Sequence, residues 1–292
     1  MQNNKNLAVW GEKWPAPAKI NLMLRIIGRR PDGYHLLQTV FQFIDWCDWI
    51  TFHPLDEDIV TLKNPIDGVA EADELTVRAA NLLKRETGCR QGVCIEIEKH
   101  LPMGGGLGGG SSDAATTLVV LNRLWGLGLS VHKLIELGVT LGADVPVFVF
   151  GYSSWGEGVG ERLEQIKLNE PWIVVVKPDC HVNTKEIFSA KELTRNSKSI
   201  TIPDFIAGQH QNDCLDTVCQ RYQPVKEALT ALSEFSEARL TGTGACVFAL
   251  FETEASAQQA YRSLDEKWQV YLAKAVNESP LVSKLKIINN FS

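Results

Sequence analysis

The feature that most constrains this chain is a dense run of glycines. Six of the seven residues from 104 to 110 are glycine, within the string "LPMGGGLGGGSSDAATT". Glycine in regular structure costs roughly 0.5–1 kcal/mol relative to alanine, so the run needs a compensating reason. A flexible linker would have polar, disordered flanks, whereas a strand pattern precedes this run and a helix pattern follows it. A turn without a ligand rarely needs more than about two or three glycines.

The run has the properties of a phosphate-binding loop. Glycines let backbone N–H groups approach an anion, and the helix predicted to open near Ser111 adds free N–H donors and its positive dipole end. The pattern G-x-G-x-x-G is present, but a dinucleotide fingerprint would directly follow its strand and need an acidic residue about 20 positions later. A P-loop is also excluded, because Gly110 stands where a lysine is required before Ser111.

Composition limits the classes of protein to consider. The 292 residues are 45% hydrophobic and 22% charged, and the net charge of -6 argues against a broad nucleic-acid-binding surface. The seven cysteines form no C-x-x-C pair, which is typical of reduced thiols. The N-terminal segment has no secretory signal pattern, and no stretch is apolar enough to span a membrane. We therefore expect a cytoplasmic protein that binds neither nucleic acid nor membrane.

Strand and helix patterns alternate in both halves of the chain, which predicts an α+β or α/β protein of two domains. The predicted strands include "AKINLMLRII", "LLQTVFQFIDWCDWITFHPL", "GVCIEIEKHLP" and "PWIVVVKPD". The predicted helices include "ADELTVRAANLLKRETG", "SSDAATTLVVLNRLWG", "SVHKLIELGVTLG" and "EASAQQAYRSLDEK". The segment "ADVPVFVFG" is expected to be extended, because Val145 precedes Pro146. The Gly-rich, polar stretch 151–170 is expected to close the first domain.

Three segments resemble the motifs of the GHMP kinases, a family named for galacto-, homoserine, mevalonate and phosphomevalonate kinases. The string from Pro102 to Ser112 resembles the ATP loop of that family, "PAPAKINLML" its first motif and "LTGTGACVFALF" its third. The resemblance implies a two-domain α+β fold. Residues 1–160 would form a nucleotide-binding domain like ribosomal protein S5 domain 2, and residues 161–292 a ferredoxin-like domain that contributes to the substrate site. It also implies ATP and Mg²⁺ as cofactors.

Five segments narrow the resemblance: "AKINL", "RRPDGYH", "MGGGLGGGSSDAA", "GADVP" and "NDCL". They are similar to a branch that phosphorylates the 2-hydroxyl of a methylerythritol carrying a cytidine diphosphate, in non-mevalonate isoprenoid biosynthesis. Another family kinase, acting on homoserine, a sugar or mevalonate, is an alternative, although it has no use for a cytosine site. A nucleotide-binding module without catalysis and an NAD-dependent dehydrogenase are further alternatives. The expected partners are ATP and the small-molecule substrate, in a monomer or homodimer.

Lys19 and Asp144 are the candidate catalytic residues. Phosphoryl transfer requires positioning, neutralised charge and an acceptor for the hydroxyl proton. A lysine between Ala18 and Ile20 usually faces water from a strand, and an aspartate after a helix usually caps it. The resemblance instead implies that the two side chains meet. Whether Asp144 takes the proton or orients the hydroxyl stays open at this point.

The resemblance also implies the binding residues. Tyr34 would stack on a cytosine, with Phe188 on its other face. Ser111 would also reach Mg²⁺, unless the serines 111 and 112 serve only as helix caps. The departure from the family pattern is Glu74, where the family often has asparagine near the adenine pocket. The expected ATP-binding residues are Lys99, Pro102, Met103, Gly104, Gly105, Gly106, Leu107, Gly108, Gly109, Gly110, Ser111, Ser112, Gly242 and Gly244; the expected substrate-binding residues are Asn21, Tyr34, His35, Asn183, Thr184 and Phe188.

Overall fold

The computed structural model of the chain describes residues 9–31, 33–66 and 68–290. Its strands are β1 (Lys13–Arg29), β2 (His35–Leu55), β3 (Val60–Leu62), β4 (Gly92–Glu98), β5 (Ser154–Gly158), β6 (Arg162–Gln165), β7 (Trp172–Lys177), β8 (Ala238–Leu240), β9 (Val247–Phe251) and β10 (Gln269–Val276). Its helices are α1 (Leu75–Thr87), α2 (Gly109–Leu124), α3 (Val131–Leu141), α4 (Val145–Phe150), α5 (Thr184–Ser189), α6 (Ile202–Ile206), α7 (Leu215–Arg221), α8 (Gln223–Ser233), α9 (Glu254–Leu264) and α10 (Pro280–Asn290). The expected α+β class is confirmed.

The long strand β2 organises the first half of the molecule. It pairs antiparallel with β1 along most of its length, and also with β4 and β5. Strand β2 is rich in β-branched and aromatic residues, which fit a pleated, buried surface. Nearly every residue of β1 is buried on both faces, from Trp14 to Leu24 and beyond. Functional side chains on this strand therefore lie inside the protein.

The helices of the first half pack on this sheet around one core. The chain begins α1 where Glu74 accepts hydrogen bonds from the first-turn N–H groups, and ends it at Gly88 with φ of 71°, as the sequence predicted. Ten of the sixteen residues of α2 are buried, so this helix lies in the core itself. The C-terminal helix α10 returns to the same core and buries Leu281.

The second half is a smaller antiparallel sheet covered by helices. Strand β7 pairs with β10 on one side and β9 on the other, and β8 pairs with β9. Apolar residues of α8 and α9, such as Leu232 and Leu264, pack with the sheet in a second core. Within the described residues, no helix is long and apolar enough to cross a membrane.

Two contacts join the halves beside strand β1. Strand β10 continues from the second sheet to pair with β2 at Ile44 and Phe43. The segment "NDCL" then crosses over β1: Asp213 N donates to Leu24 O at 2.8 Å, and Asp213 Oδ2 accepts from Ile26 N at 2.7 Å. Both halves are thereby fixed to the strand that carries Lys19. The division at residue 160 remains a proposal; β5 and β6 pair with the first sheet, and α10 packs in the first core.

Two local predictions were wrong. The segment after Asp144 is not extended but forms helix α4, because Pro146 lies in its first turn, where a missing N–H costs no hydrogen bond. Helix α2 begins at Gly109 rather than near Ser111, and its N-cap is Gly108 with φ of 76°. The serines therefore lie inside the first turn and are not caps. Glycine can adopt this left-handed cap, which a serine would adopt only with strain.

Candidate active site

Three adjoining cavities extend from the first half of the molecule to its junction with the second. The loop cavity, of about 420 Å³, is lined by the glycine run; the central cavity, of about 240 Å³, by Lys19 and Asn21; the outer cavity, of about 540 Å³, by Tyr34 and His35. Two sets of residues are shared between neighbouring cavities and mark the passages. Gly106, Ser111 and Asp144 line both the loop and central cavities, and Leu37, Ala143, Val159 and Phe188 line both the central and outer cavities. The cavities form one continuous path.

Lys19 and Asp144 meet at the passage between the loop and central cavities. Lys19 Nζ lies 3.2 Å from Asp144 Oδ2. The same nitrogen donates to Asn21 Oδ1 at 2.7 Å and to Gly106 O at 3.0 Å. The lysine side chain is 2% exposed, whereas the aspartate is 37% exposed and open to the cavities. A fixed ammonium beside an accessible carboxylate can orient a hydroxyl and stabilise charge that develops on a transferred group.

The position of Lys19 is fixed by its surroundings. Alternation alone would allow its side chain to face water, but both faces of β1 are covered at this point. A Cβ at Gly108 would lie 2.7 Å from the Phe148 ring and 3.2 Å from Lys19 Cε, so only glycine leaves room here. The ring of Phe41 lies 5.7 Å from the ammonium and adds a cation–π contact.

The third glycine motif packs against the glycine run and donates backbone hydrogen bonds to it. Ala245 N donates to Gly104 O at 3.3 Å, and Cys246 N donates to Gly105 O at 3.1 Å. A Cβ at Gly106 would collide with the Thr241 carbonyl oxygen, so the two loops can only touch because that side chain is absent. Of the two glycines in this motif, Gly242 lines the central cavity, whereas Gly244 faces Leu240 and Val182 in the second core.

Two buried carboxylates hold Lys99 at the base of the loop cavity. Lys99 Nζ donates to Asp113 Oδ2 at 2.7 Å and to Asp48 Oδ2, and Asp48 Oδ1 accepts from the N–H groups of His100 and Leu101. Burial favours a lower pKa for Lys99, but the two carboxylates outweigh it and raise the pKa. Burial raises the pKa of Asp113 to about 7 against the opposing effect of Lys99. This cluster fixes the start of the glycine run to β2 and α2.

Not every residue expected to bind ATP faces the loop cavity. Pro102, Met103 and Lys99 line it, together with all six glycines of the run and Ser111. Leu107 and Ser112 are 1% and 0% exposed and do not line it. Glu74 also lines the cavity while its Oε2 caps α1 by accepting from Thr76 N at 2.6 Å.

The outer cavity contains the aromatic residues expected at a ring-binding site. Tyr34, 63% exposed, and Phe188 of α5 both line this cavity. The His35 ring stacks on Phe188 with centroids 5.0 Å apart. Asp32 of the same sequence motif lies outside the described residues. Aromatic side chains that line one cavity supply apolar faces on which a planar ring can stack.

Arg195 fixes the tautomer of His35. Arg195 Nε donates to His35 Nε2 at 3.2 Å, so Nε2 is the acceptor and Nδ1 carries the proton. Burial, reinforced by the charges of Arg195 and Arg29, lowers the pKa of His35 from 6.5. The neutral ring therefore offers one N–H donor with a fixed direction.

Asn183 and Thr184, the two candidate substrate-binding residues at the start of α5, have different roles in the structure. Asn183 Oδ1 caps the helix by accepting from Lys185 N and Glu186 N, and Asn183 does not line a described cavity. Thr184 lines the central cavity, where its hydroxyl bonds that of Thr243 at 2.8 Å. Thr184 is thus the better placed of the pair.

Several residues that line the path were missed by sequence reasoning, and four of them bear on the chemistry: Arg29, Thr39, Lys185 and Thr243. Three of them adjoin residues it did select, since Lys185 follows Thr184, Thr243 lies between Gly242 and Gly244, and Arg29 precedes the "RPDGYH" turn. Thr39 had no such signal, because it lies within an apolar strand pattern.

The chain belongs to the GHMP kinase family. Residues 74–152 match the model of the GHMP kinases N terminal domain, and residues 190–270 match that of the GHMP kinases C terminal domain. It is accordingly an ATP-dependent small-molecule kinase, with the two-domain α+β fold that the motifs implied.

Similar proteins within this family are named 4-diphosphocytidyl-2-C-methyl-D-erythritol kinase. The protein so named from Methylococcus capsulatus is 56% identical over 93% of this chain and 94% of its own length. The one from Nitrosococcus oceani is 52% identical over 94% and 98% of the two lengths. A crystal structure of 4-(cytidine 5'-diphospho)-2C-methyl-D-erythritol kinase matches with a TM-score of 0.79 and 30% identity, covering 90% of this chain and 99% of that one.

Other solved structures are similar in fold alone. Homoserine kinase from Cytophaga hutchinsonii matches with a TM-score of 0.62 at 17% identity, covering 92% of this chain and 95% of that one. At 17% identity the similarity establishes the fold only, and the substrate has to be inferred from the residues of the site.

Proposed function

We propose that this protein transfers the γ-phosphoryl group of ATP to the 2-hydroxyl of 4-diphosphocytidyl-2-C-methyl-D-erythritol. The observation that carries the proposal is the continuous path of three cavities with Lys19 and Asp144 at its inner passage. The phosphate loop lies at one end of the path and the aromatic ring site lies at the other. A substrate with a ring, a diphosphate and a short polyol fits that order. The 52–56% identity to proteins of that name supports the same substrate.

Asp144 is the proton acceptor in this proposal. Its carboxylate lines both the loop and central cavities, so it can contact the attacking hydroxyl on one side of the transfer path. Proton removal by a positioned side chain contributes roughly 10²–10⁴-fold to a rate. Lys19 fixes the carboxylate and lies next to the position where negative charge accumulates, so it stabilises the transition state electrostatically.

The glycine run binds the nucleotide phosphates. Gly104, Gly105, Gly106, Gly108, Gly109 and Gly110 line the loop cavity, and the first turn of α2 directs unbonded N–H groups toward it. Met103 is 60% exposed beside the run and offers an apolar surface for the adenine. Glu74 and Lys99 supply polar contacts at the base of this cavity.

Mg²⁺ fits the donors at the inner passage. The Ser111 hydroxyl and the Asp144 carboxylate line the same two cavities, and hard oxygen ligands with substrate phosphates are what Mg²⁺ prefers. When bound, the ion would neutralise charge on the transferred phosphoryl group. We accordingly propose Ser111 as a protein ligand, and a cytoplasmic location, where ATP and its Mg²⁺ complex are abundant.

The outer cavity recognises the cytidine end of the substrate. Tyr34 and Phe188 stack on the cytosine, and the Nδ1–H of His35 donates to an acceptor on the base. The diphosphate then lies toward Thr184, with Lys185 as a cation that lines the outer cavity. The methylerythritol reaches the central cavity, where Asn21 contacts its hydroxyl groups.

The test is ADP release from Mg·ATP with the cytidine substrate, run beside homoserine, galactose and mevalonate. We expect turnover with the cytidine substrate alone. D144N should lower kcat by about 10²–10⁴-fold because the proton acceptor is lost, whereas D265N, an exposed aspartate that ends α9, should match the wild type. Turnover with another substrate would contradict the proposal and keep the kinase class.

A further inference from the structure

We infer that Thr39 is a positioning residue for phosphoryl transfer, acting through Asn21 to fix Lys19. Thr39 is a 1% exposed residue of β2, opposite Leu24 on β1 in the strand pairing. It also lines the central cavity. The inference rests on the proposed function and extends it to a residue that does not touch the reacting atoms.

The hydroxyl of Thr39 has only one hydrogen, and a backbone carbonyl uses it. Thr39 Oγ1 donates to Met23 O at 2.6 Å, and a carbonyl can only accept. Toward any other neighbour, Thr39 can therefore only accept. Asn21 Nδ2 lies 2.8 Å away and donates to it.

This bond and Lys19 fix the same orientation of the Asn21 amide. The ammonium has only donors, so the acceptor end of the amide faces it. Thr39 accepts from the donor end and so anchors the amide with Oδ1 2.7 Å from Lys19 Nζ. The reversed amide would place an N–H group against the ammonium and two acceptors against each other.

The ammonium of Lys19 donates two hydrogen bonds and forms one ion pair. Asn21 Oδ1 and Gly106 O accept at 2.7 and 3.0 Å, and Asp144 Oδ2 lies 3.2 Å from the nitrogen. The contact with Asp144 is the longest of the three and the most exposed. Loss of the Asn21 acceptor would release the ammonium to rotate, and the geometry at Asp144 would change most. Catalysis loses about 10²-fold when a reacting group moves by about 1 Å.

The first test compares T39V with T39S. Valine keeps the shape and removes the hydroxyl, so we expect kcat to fall about 10- to 100-fold with little change in the KM of ATP. Serine keeps the hydroxyl, so T39S should retain most of the activity. T51V, at a buried threonine of the same strand, is the matched control and should behave as the wild type. Equal losses in T39V and T39S would overturn the inference.

A double-mutant cycle separates positioning from a structural role. If Thr39 acts through Asn21, the variant N21A/T39V should have the kcat of N21A alone. Losses that multiply would contradict the inference. If T39V does not fold, T39A takes its place in the cycle.

One further readout does not depend on turnover. The side-chain amide of Asn21 is identified by NMR through the resonance that N21A lacks. Its hydrogens should exchange slowly with water in the wild type, T39S and T51V, and quickly in T39V. Absence of turnover in the wild type would reject the proposed function, while this exchange measurement still decides the role of Thr39. Slow exchange in T39V would reject that role.

Discussion

At the scale of single residues, the reaction centre depends on hydrogen-bond polarity more than on the number of charges. Lys19 is nearly inaccessible, and its ammonium donates hydrogen bonds to a side-chain amide and a carbonyl and forms an ion pair with Asp144. An unpaired charge at this depth would carry a large desolvation cost, so each acceptor matters. At the other end of the path, Arg195 fixes His35 as a neutral donor in the same way.

The state of His35 predicts a pH dependence for substrate binding. Its pKa lies below 6.5, so the neutral ring predominates at and above that pH. Protonation removes the acceptor for Arg195 and adds a like charge beside it. We expect the KM of the cytidine substrate to be constant from about pH 8 to pH 6.5 and to rise as the pH falls further, by up to about tenfold per unit.

The lowered pKa of His35 also makes the free energy of unfolding depend on pH. Since the unfolded histidine keeps the higher pKa, the unfolded state binds more protons between the two values. Stability is therefore fully present above pH 6.5 and falls as the pH drops through the unfolded value toward the folded one. Steady-state kinetics and thermal melts over this range check both expectations. A parallel rise in the KM of ATP would show a general effect and contradict the assignment to His35.

At the scale of elements, each site is built where one segment rests against another. The glycine run takes its conformation from the third motif behind it, through the bonds of Gly104 and Gly105 to residues 245 and 246. Helix α5 presents Lys185 and Phe188 three positions apart, so both line the outer cavity. Neither arrangement can be read from its own segment alone.

Gly106 and Gly110 should respond differently to alanine. Gly106 has φ of 76° and its Cβ would collide with a carbonyl of the third motif, so G106A should lower the free energy of unfolding by about 2–4 kcal/mol and weaken ATP binding. A Cβ at Gly110 would meet only Leu75 Cδ1, at 3.4 Å, so G110A should stay within about 1 kcal/mol of the wild type. Urea unfolding checks both, and equal stability of the two variants would contradict this account.

Lys185 should contribute to binding of the diphosphate. K185M removes a cation that lines the outer cavity, so the KM of the cytidine substrate should rise about three- to tenfold while that of ATP is unchanged. K191M, at an exposed lysine just beyond α5, is the matched control. Inhibition by CDP should weaken in K185M and inhibition by cytidine should not. Equal weakening of both inhibitors would mean that Lys185 does not contact the phosphates.

At the scale of the whole molecule, the last two described elements, β10 and α10, return to the first half. Strand β10 pairs with both β7 and β2, and α10 then packs beside β1. The path of cavities follows this junction, with the phosphate loop on the first half and the third motif and α5 on the second. The two halves therefore contribute to one site.

Leu281 of α10 should be essential for stability and not for chemistry. It is 2% exposed in the first core, so L281A should lower the free energy of unfolding by about 2–5 kcal/mol. I287A, on the same helix at a residue that is 56% exposed, should change it by about 0.5 kcal/mol or less. The kcat of folded L281A should equal that of the wild type. Comparable melting of the two variants would show that α10 does not stabilise the core.

Some features of the site follow from the sequence because they are local. The glycine run, its position between a strand and a helix, and the residues Lys19, Asp144, Tyr34 and His35 were all identified from short motifs. The caps of α1 and α3 were also predicted, since Gly88 and Ser130 act within one turn. Helix α4 was missed because the residue before a proline prefers extended geometry, and only packing decided that Pro146 would sit in a first helical turn.

The sequence by itself determined which chemical groups and which backbone freedoms were available: a lysine in an apolar strand, an aspartate after a helix and six glycines within seven residues. The tertiary structure alone decided that Lys19 faces inward, that it meets Asp144 125 positions later, and that Thr39 anchors Asn21 beside it. The physical reason is the distance along the sequence between the residues that interact. Backbone conformation and capping are governed by neighbours along the chain, whereas burial and hydrogen-bond polarity depend on segments that only folding brings together.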